Sequence, residues 1–227
     1  DAERRETDES QTVNALVVDP SGLILPFNDT VLSPRRRTTF SPRLDYQLST
    51  NNTLVVRYGF TDNGSQNDNI SEYTLPSAAV ETGFREHVLS FADTQVLGTR
   101  GIAETRLQLI RRRSTSSGSS DGPVINVVDA FTDGSSVGNR KRGEDRFELQ
   151  QNFSLAYGSH NVKTGVRVRG VRLIDYSTSN FVGTYVFSGD AERDPVSGEP
   201  LFPTVLVSSI EQYRRLIGGD RVYAPSQ

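Results

Sequence analysis

The chain has 227 residues, a formal net charge of -3, an apolar fraction of 34% and no Cys. This length allows one large or two small domains, and the abundance of Gly, Ser, Thr, Asn and Asp favours strands joined by turns and polar loops over a helical bundle. The missing Cys excludes disulfides and thiolate metal sites, and the weakly acidic charge gives no overall attraction to nucleic acid.

The start of the chain shows no targeting segment. It opens on "DAERRETDES", without the basic start and apolar run of a signal peptide, and closes on "VYAPSQ", which is typical of a mid-loop position. We therefore expect a segment of a longer protein. No apolar run is long enough for a membrane-spanning helix, but a spanning strand needs only about 9–11 residues, so strands that cross a membrane remain open.

The first 36 residues carry a weak pattern. We expect "AERRETDE" to be the end of an incoming strand and "TVNALVVDPSGLILPFNDTVL" to be a loop with some strand-like pieces.

Clear period-two alternation then appears in five segments, which predicts strands. In chain order they are "TTFSPRLDYQLS", "TLVVRYGF", "IAETRLQLI", "FELQQNFSLAY" and "VKTGVRVRG". Residues 85–97 and 180–189 are weaker strand candidates. "VSSIEQYRRLIGG" instead predicts a short helix that Ser208 or Ser209 caps and that Gly218 stops.

The connections fall into two classes. Residues 49–52, 98–101 and 158–161 are tight and suit antiparallel hairpins, whereas 61–83, 112–144 and 190 to the end are long and polar. Short and long links alternate, so an antiparallel meander places the tight turns at one end of the sheet and the long loops at the other.

The five strands share an apolar face that carries no charge. The opposite, charged face holds Arg43, Asp45, Arg57, Glu104, Arg106, Glu148, Lys163, Arg167 and Arg169. A soluble β-sandwich would show the same alternation. Three features favour an outer-membrane barrel instead: aromatic residues at strand ends, strands longer than the usual five or six residues, and the asymmetry of turns and loops. We therefore predict that lipid contacts the apolar face and that the charged face lines a lumen, where Arg and Glu form cross-strand ion pairs.

Basic clusters mark the long-loop end of this meander. Their members are Arg35, Arg36, Arg37, Arg111, Arg112, Arg113, Arg140, Lys141 and Arg142. They are either solvated strand ends or extracellular sites that pair with lipopolysaccharide phosphates or with an anionic substrate. A nucleic-acid role is disfavoured because the clusters lack interleaved aromatic residues.

Catalytic and metal chemistry finds no support in the sequence. His87 and His160 stand far apart without partners at ligand spacing, and no G-x-S-x-G, P-loop or dinucleotide motif is present. Asp62, Asp68 and Glu72 lack the spacing of a calcium loop. We expect no enzymatic activity, no metal and no cofactor.

Two stretches carry a family resemblance. "RRTTFSPRLDYQLSTNNTLVVRYGF" and "DRFELQQNFSLAYGSHNVKTGVRVRG" resemble the barrel of TonB-dependent outer-membrane receptors, above all the large barrels, common in acidobacteria, that carry a carboxypeptidase-regulatory-like domain. "AETRLQLIRR" is similar to a strand of that group, and "SIEQYRRLI" to its loop helix.

The resemblance implies an all-β fold. Residues 1–227 would form part of a transmembrane β-barrel, an antiparallel meander of seven or eight strands out of about 22, with short periplasmic turns and long extracellular loops. The TonB box, the plug, the carboxypeptidase-like domain and a C-terminal strand with a terminal aromatic residue are not found in this sequence.

The leading hypothesis is therefore outer-membrane, TonB-dependent uptake of a scarce solute, such as a siderophore or an oligosaccharide, in a Gram-negative bacterium. The implied partners are membrane lipid and lipopolysaccharide, the plug of the same protein, TonB and the solute. Two alternatives stay open: a soluble β-sandwich that binds carbohydrate, against which the missing Trp counts mildly, and a small structural or adhesin barrel.

Overall fold

A computed structural model describes residues 1–194 and 196–225 of the chain. Strands dominate these residues, with one α-helix and short 3₁₀ turns at Pro76–Ala78 and Arg221–Tyr223. The elements are β1 (Ala2–Val18), β2 (Ile24–Phe40), β3 (Arg43–Ser49), β4 (Asn52–Asp68), β5 (Val80–Leu97), β6 (Gly101–Gly118), β7 (Val124–Val127), β8 (Phe131–Asp133), β9 (Asn139–Tyr157), β10 (His160–Ser177), β11 (Thr184–Phe187), β12 (Asp190–Ala191), β13 (Leu206–Val207) and α1 (Ser209–Ile217).

The main sheet is an antiparallel meander in the order β1-β2-β4-β5-β6-β9-β10, and β3 continues the line of β2 along β4. This confirms the predicted all-β class and meander. In the described residues the sheet is not closed, since β1 and β10 form its two edges.

The predicted tight turns lie at one end of this sheet. Residues 50–51, 98–100 and 158–159 join β3 to β4, β5 to β6 and β9 to β10. Gly98 and Gly158 have φ values of 62° and 57°, a backbone conformation that only glycine adopts at little cost. The connections at 69–79, 119–138 and from 178 onward lie at the other end.

The strands reach further into the predicted loops than alternation indicated. β4 and β5 occupy parts of 61–83, and β6 and β9 occupy parts of 112–144. In the weak segment at 85–97, β5 is a full strand of 18 residues. The loops at 61–83 and 112–144 were therefore predicted too long, because these strand ends carry polar residues on both faces and lose the period-two signal.

In the first 36 residues the predicted loop was wrong, because the consecutive apolar residues at 15–18 and 23–25 show no period of two. β1 and β2 form a continuous hairpin whose register runs from Ala2 opposite Phe40 to Val18 opposite Ile24. The Asp19 carboxylate accepts hydrogen bonds from the backbone N–H groups of Ser21 and Leu23 at 2.9 and 2.8 Å and closes the turn. This hairpin places one short connection at the long-loop end.

The segment 180–189 is not a strand of the main sheet. Only Thr184–Phe187 is extended there, and it pairs in parallel with β7 in a small sheet of order β11-β7-β8. The helix prediction is confirmed, because Ser208 caps α1 by accepting from the N–H of Glu211 and Gly218 follows its last residue.

The long connections pack together into what we call the loop cap, residues 69–79, 119–138, 178–194 and 196–225. Its buried cluster includes Val127, Phe131, Phe187 and Ile210 and rests on Val13 and Ala15 of β1. Val13 is fully buried. The loop cap also covers the outer part of the β1 edge, where the N–H of Asn14 donates to the Glu72 carbonyl at 2.7 Å.

Candidate functional site

The register of the main sheet joins the apolar residues of separate strands into one band. Directly opposite residues in an antiparallel pair share a face, so the side chains of such a row lie side by side. One row contains Tyr58, Leu89, Leu109, Phe147 and Gly170, and the next contains Val56, Phe91, Leu107, Leu149 and Val168. The apolar face is therefore continuous from β4 to β10.

The height of this band can be read along β9. Ten residue steps separate Phe147 from Tyr157, which at roughly 3.3 Å per residue gives roughly 33 Å along the strand. A strand tilt of about 35–45° reduces that length to roughly 25 Å, the height of the apolar band of outer-membrane barrels. Val166 is 60% exposed and Leu155 53%, so the described residues leave the band uncovered.

Aromatic and charged residues mark the boundary of the band on the side of the loop cap, which we call the upper boundary, and they lie on the same face as the band. The Phe60 and His87 rings lie 5.1 Å apart, and the Tyr58 hydroxyl shares a hydrogen bond with His87 Nδ1 at 2.7 Å. Beyond them Arg113 donates to both carboxylate oxygens of Asp145 at 2.8 and 2.9 Å. The apolar face thus changes within two residue rows from rings to ion pairs.

One polar row interrupts the band, and its charged member, Asp93, was not predicted from the sequence. Asp93 of β5 lies opposite Thr105, and Thr105 lies opposite Gln151. Thr105 Oγ1 donates to Gln151 Oε1 at 2.5 Å, while Asp93 Oδ2 accepts from Gln95 at 3.0 Å and its Oδ1 has no partner. The charge-free apolar face was predicted for five strands that do not include β5, whose pattern was too irregular to assign a phase; Asp93 of β5 adds a carboxylate to that face.

The charged residues predicted for the second face do share it. In the register, Arg57 lies beside Arg43, Arg106 beside Gln150, and Glu148 beside Arg169, with the other members on the same side. Several are paired: Arg43 with Asp45 at 2.8 Å, Arg106 with Glu104 at 3.7 Å, and Glu148 with Arg167 and Arg169. Within residues 1–194 and 196–225, Arg57 and Lys163 have no carboxylate at ion-pair distance.

A ladder of cross-strand ion pairs crosses this face. Sequence analysis predicted Arg–Glu pairs of this type but not these particular pairs. Glu86 of β5 pairs with Arg112 of β6, and Arg112 approaches Glu144 of β9 at 3.7 Å. Glu144 also pairs with Arg146. Glu86, Glu144 and Arg146 were not among the predicted residues, because Glu86 lies in the irregular segment 85–97 and the other two precede the alternating segment that begins at Phe147.

The basic clusters do not form one patch, because strand alternation divides them between the faces. Arg36, Arg111, Arg113 and Lys141 lie on the side of the apolar band, beyond its upper boundary. Arg35, Arg37, Arg112, Arg140 and Arg142 lie on the charged face. Each group lies at the loop-cap end of the strands.

A second polar centre lies in the loop cap around α1. Arg214 donates two hydrogen bonds of 2.6 Å to Glu211, and Arg215 adds one of 2.8 Å. These bonds, first those from Arg214, lower the pKa of Glu211 to about 2 against the opposing effect of burial. Arg215 also donates to Glu192 and to the Tyr223 hydroxyl at 2.7 Å each, and mainly the Glu192 bond raises the pKa of its guanidinium.

Within the loop cap, an aromatic residue of α1 packs the helix against the small sheet of β7, β8 and β11. The Tyr213 ring makes edge-to-face contacts with Phe131 and Phe187 at centroid distances of 5.3 and 5.1 Å. Burial there raises the pKa of the Tyr213 hydroxyl. This packing explains why α1 is a stable helix in a loop region.

Metal ligation has no geometric support in residues 1–194 and 196–225, where His, Asp and Glu side chains form no group that could hold an ion. Asp62 accepts from Arg85 at 3.0 Å, and Asp68 accepts from Arg35 at 3.4 Å. His160 begins β10 beside the turn at 158–159. No helix in the described part of the chain is long and apolar enough to cross a membrane.

Comparison with known proteins gives one match. A family model described as an outer membrane beta barrel domain matches residues 10–216. No curated protein and no solved structure matches the chain.

Proposed function

The chain belongs to the family of outer membrane beta barrel domains, and from this premise we propose that its main sheet is part of the wall of a TonB-dependent transporter that takes up a scarce solute. The protein is located in the outer membrane. The observation that carries the proposal is the pairing of a continuous apolar band on one face with a charged, ion-paired face on the other.

In this proposal lipid covers the apolar band and the charged face looks into the lumen. The roughly 25 Å height of the band fits the hydrocarbon layer, and the tight turns then lie on the periplasmic side. The loop cap lies on the external side, because long loops of such barrels face outward. The ladder of Glu86, Arg112 and Glu144 stiffens the wall where a plug of the same protein would pack.

Two partners follow from the divided basic clusters and from the family resemblance. Arg36, Arg111, Arg113 and Lys141 lie just above the band on the lipid side, at the height of headgroup phosphates. We propose that they pair with lipopolysaccharide, as guanidinium groups pair well with phosphate. The resemblance to TonB-dependent receptors supplies the proposed coupling to TonB and the role in transport rather than catalysis.

A soluble β-sandwich fits the geometry poorly. A sandwich would cover the apolar face with a second sheet, but the small sheet of β7, β8 and β11 packs on Val13 and Ala15, which lie on the charged-face side of β1. In the described residues nothing covers the apolar band. A small structural or adhesin barrel remains the second candidate, since it would share the band and differ in lacking coupling to TonB.

The experiment that tests the transporter proposal is capture of the purified outer-membrane protein by the C-terminal domain of TonB. We expect capture that a trimeric porin of the same membrane does not show. Equal retention of the two proteins, or retention of neither, would favour the structural barrel.

A further inference from the structure

A groove of about 700 Å³ crosses the charged face between the ion-pair ladder and the loop cap. Side chains from two adjacent rows of the register line this groove. One row contains Arg5, Arg37, Asn63, Phe84, Ser114 and Arg142, and the other contains Thr7, Arg35, Ser65, Thr82, Ser116 and Arg140. We call this feature the arginine groove.

The arginines stand on its two flanks. Arg5, Arg35 and Arg37 come from β1 and β2, and Arg140 and Arg142 come from β9. β4, β5 and β6 separate the flanks, which at roughly 4.8 Å per strand places β2 and β9 roughly 19 Å apart along the sheet. The extended guanidinium side chains narrow this gap, so one solute with separated negative groups can reach both flanks.

The charge of the groove is not balanced from within. Glu9 is the one carboxylate among the described lining residues. Three of its arginines are paired from outside the groove or at its edge: Arg35 lies 3.4 Å from Asp68 and 3.8 Å from Glu9, Arg5 lies 3.5 Å from Glu3, and Arg140 lies 3.5 Å from Asp175. No carboxylate in residues 1–194 and 196–225 lies within ion-pair distance of Arg37 or Arg142. Arg37 and Arg142 thus stand on the two flanks of one row without an ion pair, although Asp175 lies opposite Arg142 in the register, in contrast to the paired arginines of the ladder below.

The floor between the flanks suits a polar organic solute. Ser65 and Thr82 hydroxyls lie 2.6 Å apart, and Ser114 and Ser116 extend this hydroxyl surface across β6. Phe84 places an aromatic ring in the middle of the row between Asn63 and Ser114. Hydroxyl groups donate to and accept from oxygen atoms, and the ring offers an apolar contact for a carbon skeleton.

We propose that the arginine groove binds a soluble organic anion with two or more separated anionic groups, such as carboxylates or phosphates, between Arg37 and Arg142. The assignment of this anion as the transported solute rests on the proposed function, because only a lumen-facing charged face exposes the groove to solute. In the proposed orientation lipopolysaccharide lies against the opposite face, so the groove would take its ligand from solution.

The test uses the purified outer-membrane protein in detergent and the trianionic fluorophore pyranine as the probe. We expect saturable binding that weakens as NaCl rises from 50 to 500 mM, since salt screens exposed charges. The double variant Arg37→Gln/Arg142→Gln should weaken binding by roughly tenfold or more, as two charge-assisted contacts are lost.

The matched control is Arg4→Gln/Arg172→Gln, which removes the same charge from the other face of β1 and β10. This variant should bind pyranine within roughly twofold of the unmodified protein. Heat-modifiable migration on gels verifies that each variant is folded. Equal loss in both double variants, loss in neither, or displacement of pyranine by added lipopolysaccharide would overturn the proposal.

Failure of this site and failure of the transporter proposal are distinguishable. Groove-dependent pyranine binding without capture by TonB would leave the anion site standing and remove the uptake role. Capture by TonB, together with pyranine binding that is unchanged in the Arg37→Gln/Arg142→Gln variant, would support the uptake role and remove the anion site.

Discussion

Arg169 of β10 donates from Nε to Oε2 of Glu148, its directly opposite residue on β9, at 3.0 Å. Arg167, on the same face one row away, donates to the other oxygen of the same carboxylate at 2.7 Å. One carboxylate therefore holds two arginines of the edge strand β10 in place. This arrangement joins the neighbouring strands β9 and β10 on the charged face.

Replacing Glu148 by Gln should loosen β10 from β9. The arginines are about half exposed, so we expect only a small loss in the free energy of unfolding, measured by urea titration of the protein in detergent, but a larger one than for Glu104→Gln. Glu104→Gln is the control, because its partner Arg106 lies farther away at 3.7 Å. A larger loss for Glu104→Gln than for Glu148→Gln would contradict this ranking.

Arg112 should matter more for stability than its neighbour Arg111. Arg112 contacts Glu86 and Glu144 on two neighbouring strands, whereas Arg111 on the opposite face approaches only Asp145 at 3.8 Å. Arg112→Gln should therefore cost about 1–3 kcal/mol, since it leaves two partly buried carboxylates uncompensated. Arg111→Gln should cost less than about 0.5 kcal/mol in the same titration. Equal costs would argue that the ladder does not stabilise the wall.

Asp93 is expected to reduce the stability of the barrel in lipid. One of its oxygens has no hydrogen-bond partner, and its row lies within the apolar band. Asp93→Leu should raise the free energy of unfolding in lipid vesicles by about 1–2 kcal/mol, because a polar group leaves the hydrocarbon region. Asp62→Leu, which removes an acid paired to Arg85 above the band, should be neutral or destabilising. Destabilisation by Asp93→Leu would place this row outside the membrane.

The Glu211 cluster should protect the loop cap in acid. Its folded pKa of about 2 lies below the unfolded value of 4.5, so its contribution is present above pH 4.5 and is lost as the pH falls towards 2. At pH 4, pepsin should cleave residues 196–225 faster in Glu211→Gln than in the unmodified protein. This difference in cleavage rate should shrink as the pH falls towards 2.

Glu199→Gln is the control for the loop cap. Glu199 lies in the same connection and forms no ion pair in the described part of the chain. Its cleavage rate should match that of the unmodified protein at both pH values. A protease sensitivity of Glu211→Gln that does not change between pH 4 and pH 2 would contradict the role of the ionised carboxylate.

The sequence alone predicted the part of the fold in which one face of each strand is apolar. There, strict alternation assigned Arg57, Arg106 and Glu148 to a common face, as the register shows. The β1–β2 hairpin could not be predicted this way, because its apolar residues at 15–18 and 23–25 are consecutive and show no alternation.

The sequence showed the basic clusters of the candidate site, but not which face of the sheet each of their residues occupies. The clusters of Arg35–Arg37 and Arg140–Arg142 were visible as charge runs, yet their division between faces required knowing that they lie in strands rather than loops. The loop cap depends on contacts between distant segments, such as Tyr213 between Phe131 and Phe187, which no local pattern encodes.

A pair of neighbouring substitutions decides whether the apolar band of the main sheet faces lipid. Leu107 lies in the wholly apolar row with Phe91 and Leu149, while Gln108 lies on the charged face beside Glu148. An Arg on the lipid face costs about 2–4 kcal/mol at the middle of the bilayer and less towards its boundaries, whereas a lumen position tolerates it. Leu107 lies one row inside the Phe147 boundary of the band, so we expect an intermediate cost there. The measurement is the amount of heat-modifiable, folded protein in the outer-membrane fraction. We expect Leu107→Arg to reduce this amount and Gln108→Arg to leave it near the unmodified level; equal assembly of both variants, or loss only in Gln108→Arg, would show that the apolar band does not face lipid.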